Sequence, residues 1–219
     1  MGKLKLAVFD MDGTLIDTEH SMWFDSEKKA FLELGYPFDE DFVESFCGLN
    51  ERDINAVLLK KYPGFPVDEY WKIVYAENDC FLNNCEIPVI KGSFEILEYL
   101  KEHGITCSIA TGSPKKMAEL ALGNCGLLPY FDFIISGDET IKGKPDPEIY
   151  LTSIAHFNCS RDEAVIFEDA PVGARAAIDS GVPLIYIPNV FNVPEREKKE
   201  AFRVVRDLTE ALELVKTLI

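Results

Sequence analysis

The chain has 219 residues, a length that accommodates one α/β core with a sizeable insertion as readily as two equal domains. Hydrophobic residues at 47% and charged residues at 27% supply the surface of a packed core and exclude a disordered chain. The formal charge of -16, with no cluster of Lys and Arg, excludes a nucleic-acid or anionic-membrane binder.

The N-terminal MGKLKLAVFD is too short and too interrupted by Lys5 for a secretory signal, and no run of about 18 apolar residues follows. The expectation is a soluble, cytoplasmic monomer. The cysteines (Cys47, Cys80, Cys85, Cys107, Cys125, Cys159) lack paired metal-site spacing and read as reduced, structural thiols.

Residues 4–9 (LKLAVF) form a short apolar run that breaks at the turn-prone DMDGT, which predicts a buried strand delivering polar groups at its C-terminal end. Strand patterning then vanishes. Helical periodicity over 19–34, 50–62 and 67–82, punctuated by Gly35-Tyr36-Pro37 and Pro63-Gly64-Phe65-Pro66, predicts an all-helical insertion spanning 16–87. Its two connections, near 14–18 and 85–92, must run side by side and can serve as a hinge. Trp23 and Trp71 read as packing for these helices, with room for one aromatic to face a cleft.

From 88 onward strands at 105–111, 132–136, 164–169 and 183–188 alternate with helical segments, and Leu208, Leu212, Val215 and Leu218 mark a closing helix. This alternation predicts an α/β fold: a Rossmann-like parallel sheet with helices on both faces, built from 1–15 and 88–219.

Polar clusters fall at or just beyond the C-terminal strand ends, where open α/β sheets gather ligand-binding groups. They are Asp10 with Asp12, Thr111 with Ser113, Lys144, and Glu168 with Asp169. Carboxylates, hydroxyls and one ammonium make a set that coordinates a hard cation through oxygen and cradles a phosphoryl group. Each cluster alone also has a structural reading: a turn at DMDGT, capping residues before the helix near Pro114, an acidic pair at a helix entry.

DMDGTL (10–15), ATGS (110–113), GKPDP (143–147) and FEDAPVGARAA (167–177) resemble, in order and spacing, the four motifs of the haloacid dehalogenase superfamily. The helical insertion resembles that superfamily's small helical cap, in the branch holding phosphoglycolate phosphatases, sugar-phosphate phosphatases and β-phosphoglucomutases. The resemblance implies Asp10 as the nucleophile that forms an aspartyl phosphate, and Asp12 as the general acid and base. Residues two apart in a strand point the same way, so at the strand's end both carboxylates can approach one phosphoryl group.

The resemblance also implies Mg2+ as cofactor, held by Asp10, the Asp12 backbone carbonyl and Asp169, with Glu168 ligating directly or through water. Lys144 would neutralise the phosphate and the crowded carboxylates, and Thr111 would donate to a phosphoryl oxygen. Ser113 could touch the rest of the substrate. Arg52, in CGLNERD, reads equally as a surface ion pair or a substrate clamp.

Asp12 favours phosphate esters over halides, because an alkoxide leaving group needs a proton and a halide does not. The mutase pattern places a cap histidine five positions after Asp17, where Met22 stands, and its cap-loop arginine three after the glycine, whereas Arg52 follows Gly48 by four. The resulting expectation is a phosphatase of a small phosphorylated metabolite, a sugar phosphate or phosphorylated organic acid. A β-phosphoglucomutase-type phosphotransferase is the alternative, and a non-catalytic phospho-ligand-binding protein a third reading.

Overall fold

The computed structural model describes residues 3–188 and 194–219. Its first strand, β1 (Leu6–Phe9), is apolar at every position and buried on both faces, the composition of a central parallel strand. It pairs in parallel with β2 (Thr106–Thr111) on one side and β4 (Ala164–Glu168) on the other. With β3 (Phe133–Ser136), β5 (Leu184–Tyr186) and β6 (Arg203–Val204), the sheet order is β3-β2-β1-β4-β5-β6. The expected strands all take part. The additional β6 has two exposed residues and no apolar run to announce it; pairing with β5 defines it.

Alternation along the strands divides the core into two layers. Phe9, Ile109 and Phe167 face α5 (Ser93–Glu102), α6 (Lys115–Asn124) and α10 (Leu208–Val215), while Leu6, Val8 and Ile166 face α7 (Glu148–His156) and α8 (Pro171–Ser180). A short helix, α9 (Glu195–Glu200), precedes β6. Phe9 and Phe167 are register partners whose rings stack at 4.3 Å, which fixes Asp10 beside Glu168 one residue further along.

Between β1 and α5 the chain forms a π-helical turn (Glu19–Phe24), α1 (Asp25–Glu33), α2 (Glu40–Glu44), α3 (Glu51–Lys61) and α4 (Val67–Asn84). They enclose their own core around Phe31, Phe46, Leu58, Phe65, Tyr70 and Trp71. The continuous helix expected over 19–34 thus divides in two, and α2, too short for a periodic signature, was not anticipated. At the base of this helical cap the Asp17 N–H donates to the Pro88 carbonyl (2.8 Å) and the Ile90 N–H to the Leu15 carbonyl (2.9 Å), so the two connections run against each other.

All six cysteines are free thiols, and Cys80 and Cys85 near the end of α4 are exposed, which corrects a structural role for that pair. No helix among the described residues is long and apolar enough to cross a membrane.

Candidate active site

Asp10 follows β1 directly, and its N–H donates to the Phe167 carbonyl (2.9 Å), extending the sheet pairing by one residue. The chain then turns at Gly13, whose φ of +80° and close surroundings both demand glycine: a Cβ there would lie 2.2 Å from Asp169 Oδ2. Asp10, Glu168 and Asp169 are all buried, and each offers a carboxylate oxygen within 4.8 Å of the other two.

Lys144, buried in the loop before α7, donates to Asp10 Oδ1 (2.5 Å) and Glu168 Oε2 (2.8 Å). The Tyr150 hydroxyl, from the first turn of α7, donates to the same Glu168 oxygen. Glu168 Oε1 accepts the backbone N–H groups of Asp169 (3.2 Å) and Ala170 (3.0 Å) at the entry to α8. Asp169 Oδ1 accepts from the Thr14 hydroxyl (2.7 Å), and its Oδ2 is buried with no hydrogen-bond partner.

Burial, reinforced by Glu168, pushes the Asp10 carboxyl well above the usual range, with Lys144 opposing. Burial with Glu19 and Glu168 does the same to Asp169. For Lys144, burial acts to lower the pKa, but the charges of Asp10 and Glu168 outweigh it and raise it. One ammonium therefore faces a surplus of carboxylates. An orphaned Asp169 oxygen beside an all-oxygen donor set is what a hard divalent cation satisfies, so the residues fit such an ion.

Asp12 is held by donors from both cap and core. Thr18 and Trp23 Nε1 (3.2 Å) donate to Oδ1, while Thr111 (3.2 Å) and Ser113 (2.7 Å) donate to Oδ2. Thr111 also accepts the Ser113 N–H (3.0 Å). Both hydroxyls, assigned from the sequence to the phosphoryl group and the remainder of the substrate, here orient the Asp12 carboxylate.

Above Asp10 and Asp12 lies a chamber between the cap and the sheet's C-terminal edge. Arg52 is absent from its lining. At the start of α3 its half-exposed side chain pairs with Asp53 (3.3 Å) and donates to the Ile141 carbonyl, in a separate groove with Lys142 and Asp146. Of the two readings of Arg52, this geometry matches the surface ion pair.

Glu19, Thr18 and Tyr150 were missed as site residues, while Trp23, read as cap packing with room for one aromatic to face a cleft, lines the chamber. Glu19, Trp23 and Glu27 recur every four residues, a spacing that puts them on one helical side, and all three line the chamber. Acidic residues on the side that periodicity assigns to burial are the available signal.

Gly173 supports this site from α8, since a Cβ on it would sit 2.0 Å from Glu168 Oε2. Gly→Ala within an exposed helix normally stabilises by roughly 0.5–1 kcal/mol. Gly173→Ala is expected to lower the melting temperature instead, because it must drive Glu168 away from Lys144 and Tyr150. It should also reduce kcat on a phosphate ester by about tenfold or more. Calorimetry and steady-state rates check both; an unchanged kcat with a raised melting temperature would count against the packing described.

The family model described as haloacid dehalogenase-like hydrolase matches residues 7–187. Validoxylamine A 7'-phosphate phosphatase of Streptomyces hygroscopicus subsp. limoneus is 32% identical over 94% of this chain and 95% of that protein. The phosphorylated carbohydrates phosphatase of Thermotoga maritima is 32% identical over 84% of each. A crystal structure from Thermotoga maritima, provisionally described as a β-phosphoglucomutase, superposes with a TM-score of 0.75 at 29% identity, covering 99% of this chain and 100% of that one. With that family match spanning most of its length and with relatives aligned nearly end to end, the chain belongs to the haloacid dehalogenase-like hydrolases.

Proposed function

We propose that the protein is a Mg2+-dependent phosphatase that hydrolyses the monophosphate ester of a small carbohydrate-like metabolite through an aspartyl phosphate on Asp10. The observation that carries this reading is the convergence of Asp10, Lys144, Glu168 and Asp169 at the C-terminal edge of the sheet, with Asp10 and Asp12 lining the chamber beside them. Relatives that act on validoxylamine A 7'-phosphate and on phosphorylated carbohydrates support the substrate class.

Asp10 Oδ attacks phosphorus while the ester P–O bond breaks, and Asp12 gives its proton to the departing alkoxide. Asp12 then takes a proton from water as the water oxygen attacks phosphorus and the bond to Asp10 is released. Asp10, the Asp12 backbone carbonyl and Asp169 would hold Mg2+, with Glu168 beside them, and the ion would neutralise charge as one anion approaches another. Lys144 supplies fixed positive charge at the same point. Thr111 is placed to turn its hydroxyl from Asp12 to a phosphoryl oxygen. Residues 16–87 move as a cap on the paired connections, and Thr18 and Trp23 make the orientation of Asp12 depend on cap closure.

Met22 is 4% exposed and packed in the core cluster, so it brings no proton-transfer group to the place where the mutase pattern puts a histidine. Hexose monophosphates incubated with Mg2+ should release inorganic phosphate with no hexose bisphosphate primer. Primer-dependent isomerisation in place of release would establish the phosphotransferase instead.

A further inference from the structure

Cap and core meet along a seam around the start of α3, and two core glycines show how closely they approach. A Cβ on Gly112, which follows Thr111, would lie 2.9 Å from the Leu49 carbonyl oxygen and 3.1 Å from that of Gly48. One on Gly143, which precedes Lys144, would lie 2.2 Å from both Asn50 Nδ2 and Asp53 Oδ2. Neither glycine takes a positive φ, so the backbone does not demand glycine at these places and the approach of the cap does.

The second contact falls on the loop that carries Lys144. On the core side, Glu148 at the start of α7 anchors this loop by accepting the Ile141 (2.8 Å) and Lys142 (3.0 Å) N–H groups. From the cap side, the Arg52 guanidinium donates to the Ile141 carbonyl, 89 residues away in the chain. Asn50 is 4% exposed and caps α3 by accepting the Asp53 N–H on Oδ1 (3.0 Å), which leaves its buried Nδ2 against Gly143 without a hydrogen-bond partner. Ile141 is thus held at its carbonyl by the cap and at its N–H by the core, in the same short loop as the ammonium that bridges Asp10 and Glu168. An exposed ion pair of sequence neighbours, such as Arg52 with Asp53, contributes little by itself. The bond to Ile141 differs because it exists only while the cap is seated on the core.

We propose that Arg52 is a positioning residue, a latch that holds the cap seated on the loop of Lys144, and that the packing of Asn50 and Asp53 on Gly143 transmits closure of the chamber to that lysine. The role of Lys144 in turnover rests on the phosphatase reading; the latch itself does not. With the guanidinium removed, the cap opens more often on its paired connections, the bond from Trp23 to Asp12 breaks with it, and the fraction of protein with cap and core assembled around the site falls.

The two tryptophans report on the seam separately. Trp23 Nε1 donates across it to Asp12, whereas Trp71 Nε1 donates to Asn55 inside the cap. In proton–nitrogen correlation spectra, Arg52→Met and Gly143→Ala are each expected to shift or broaden the Trp23 indole signal and to leave that of Trp71 in place. With Mg2+ and p-nitrophenyl phosphate, kcat/KM should fall about fivefold in Arg52→Met, the scale of one partly exposed charge-assisted hydrogen bond, and Arg52→Lys should recover part of the loss. A Trp23 signal unchanged in both variants overturns the latch, as does movement of both indole signals together, which would make Arg52 part of the cap's own packing. An unaltered kcat/KM in Arg52→Met overturns its link to turnover. Wild-type protein that hydrolyses no phosphate ester overturns the phosphatase reading, and the indole signals still decide the latch.

Discussion

Asp10→Asn protein is expected to remain folded and to lose phosphatase turnover by about 10⁴-fold or more, the scale on which enzymes lose rate when a nucleophile is removed. Asparagine keeps the shape of the side chain and can still meet Lys144, but its amide does not attack phosphorus. The structure also sets the sign of the stability change. Burial and Glu168 hold the Asp10 carboxyl far from its ordinary ionisation range, so neutralising it removes an unfavourable charge from a crowded acidic floor. Without divalent cation the variant should therefore melt at or above the wild-type temperature, and its response to Mg2+ should weaken. Turnover within about tenfold of wild type would place the nucleophile elsewhere.

The second large effect is a stability that declines as pH rises when no divalent cation is present. Burial pushes Glu27 up to about 8 from 4.5, against a smaller opposing pull from Tyr70, whose own hydroxyl finds no well-formed hydrogen bond. Between those two values the folded chain holds a proton that the unfolded chain has lost, so stability is greatest at the acid side of the window and falls towards about pH 8. Asp10 and Asp169 shift in the same direction. The Glu27 contribution alone is on the order of 2–4 kcal/mol at the top of the window, or about 5–10 °C in melting temperature for a chain of this length.

Glu27→Gln should flatten that part of the profile. Mg2+ should restore stability more at pH 8 than at pH 6, because a cation on the acidic floor requires ionised carboxylates and releases their protons as it binds. A melting temperature that rises steadily from pH 5 to pH 8 in metal-free protein would contradict this electrostatic account.

Much of the fold was legible because the sheet is buried. Strands such as LAVF and AVIFE are apolar on both faces and end abruptly in acidic residues, so the strand and its functional tip were visible in one stretch of sequence. Register did the rest, since pairing Phe9 with Phe167 puts Asp10 alongside Glu168 with no further instruction. β6 escaped because both its residues are exposed and its pairing with β5 is the whole of its definition.

The site was legible where one short motif holds a group and illegible where cap and core meet. Asp12 accepts from Ser113, 101 residues away, and from Thr18 and Trp23 in the cap, and no local pattern encodes that convergence. Glu19 and Glu27 were visible as members of a helical side and passed over, because acids there read as solvated until burial shows otherwise. Arg52 read equally as a surface ion pair or a substrate clamp, because a cation near a cap glycine carries no local mark of its partner; it pairs with Asp53 and donates to the Ile141 carbonyl.

The most direct measurement is covalent capture during turnover with Mg2+ and a phosphate ester. Quenching with borohydride reduces an acyl phosphate to an alcohol, so the peptide carrying position 10 should be recovered with homoserine there, in wild-type protein and not in Asp10→Asn. Reduction at another carboxylate, or turnover with no reduced peptide at all, would contradict the assignment of Asp10 as the residue that accepts the phosphoryl group.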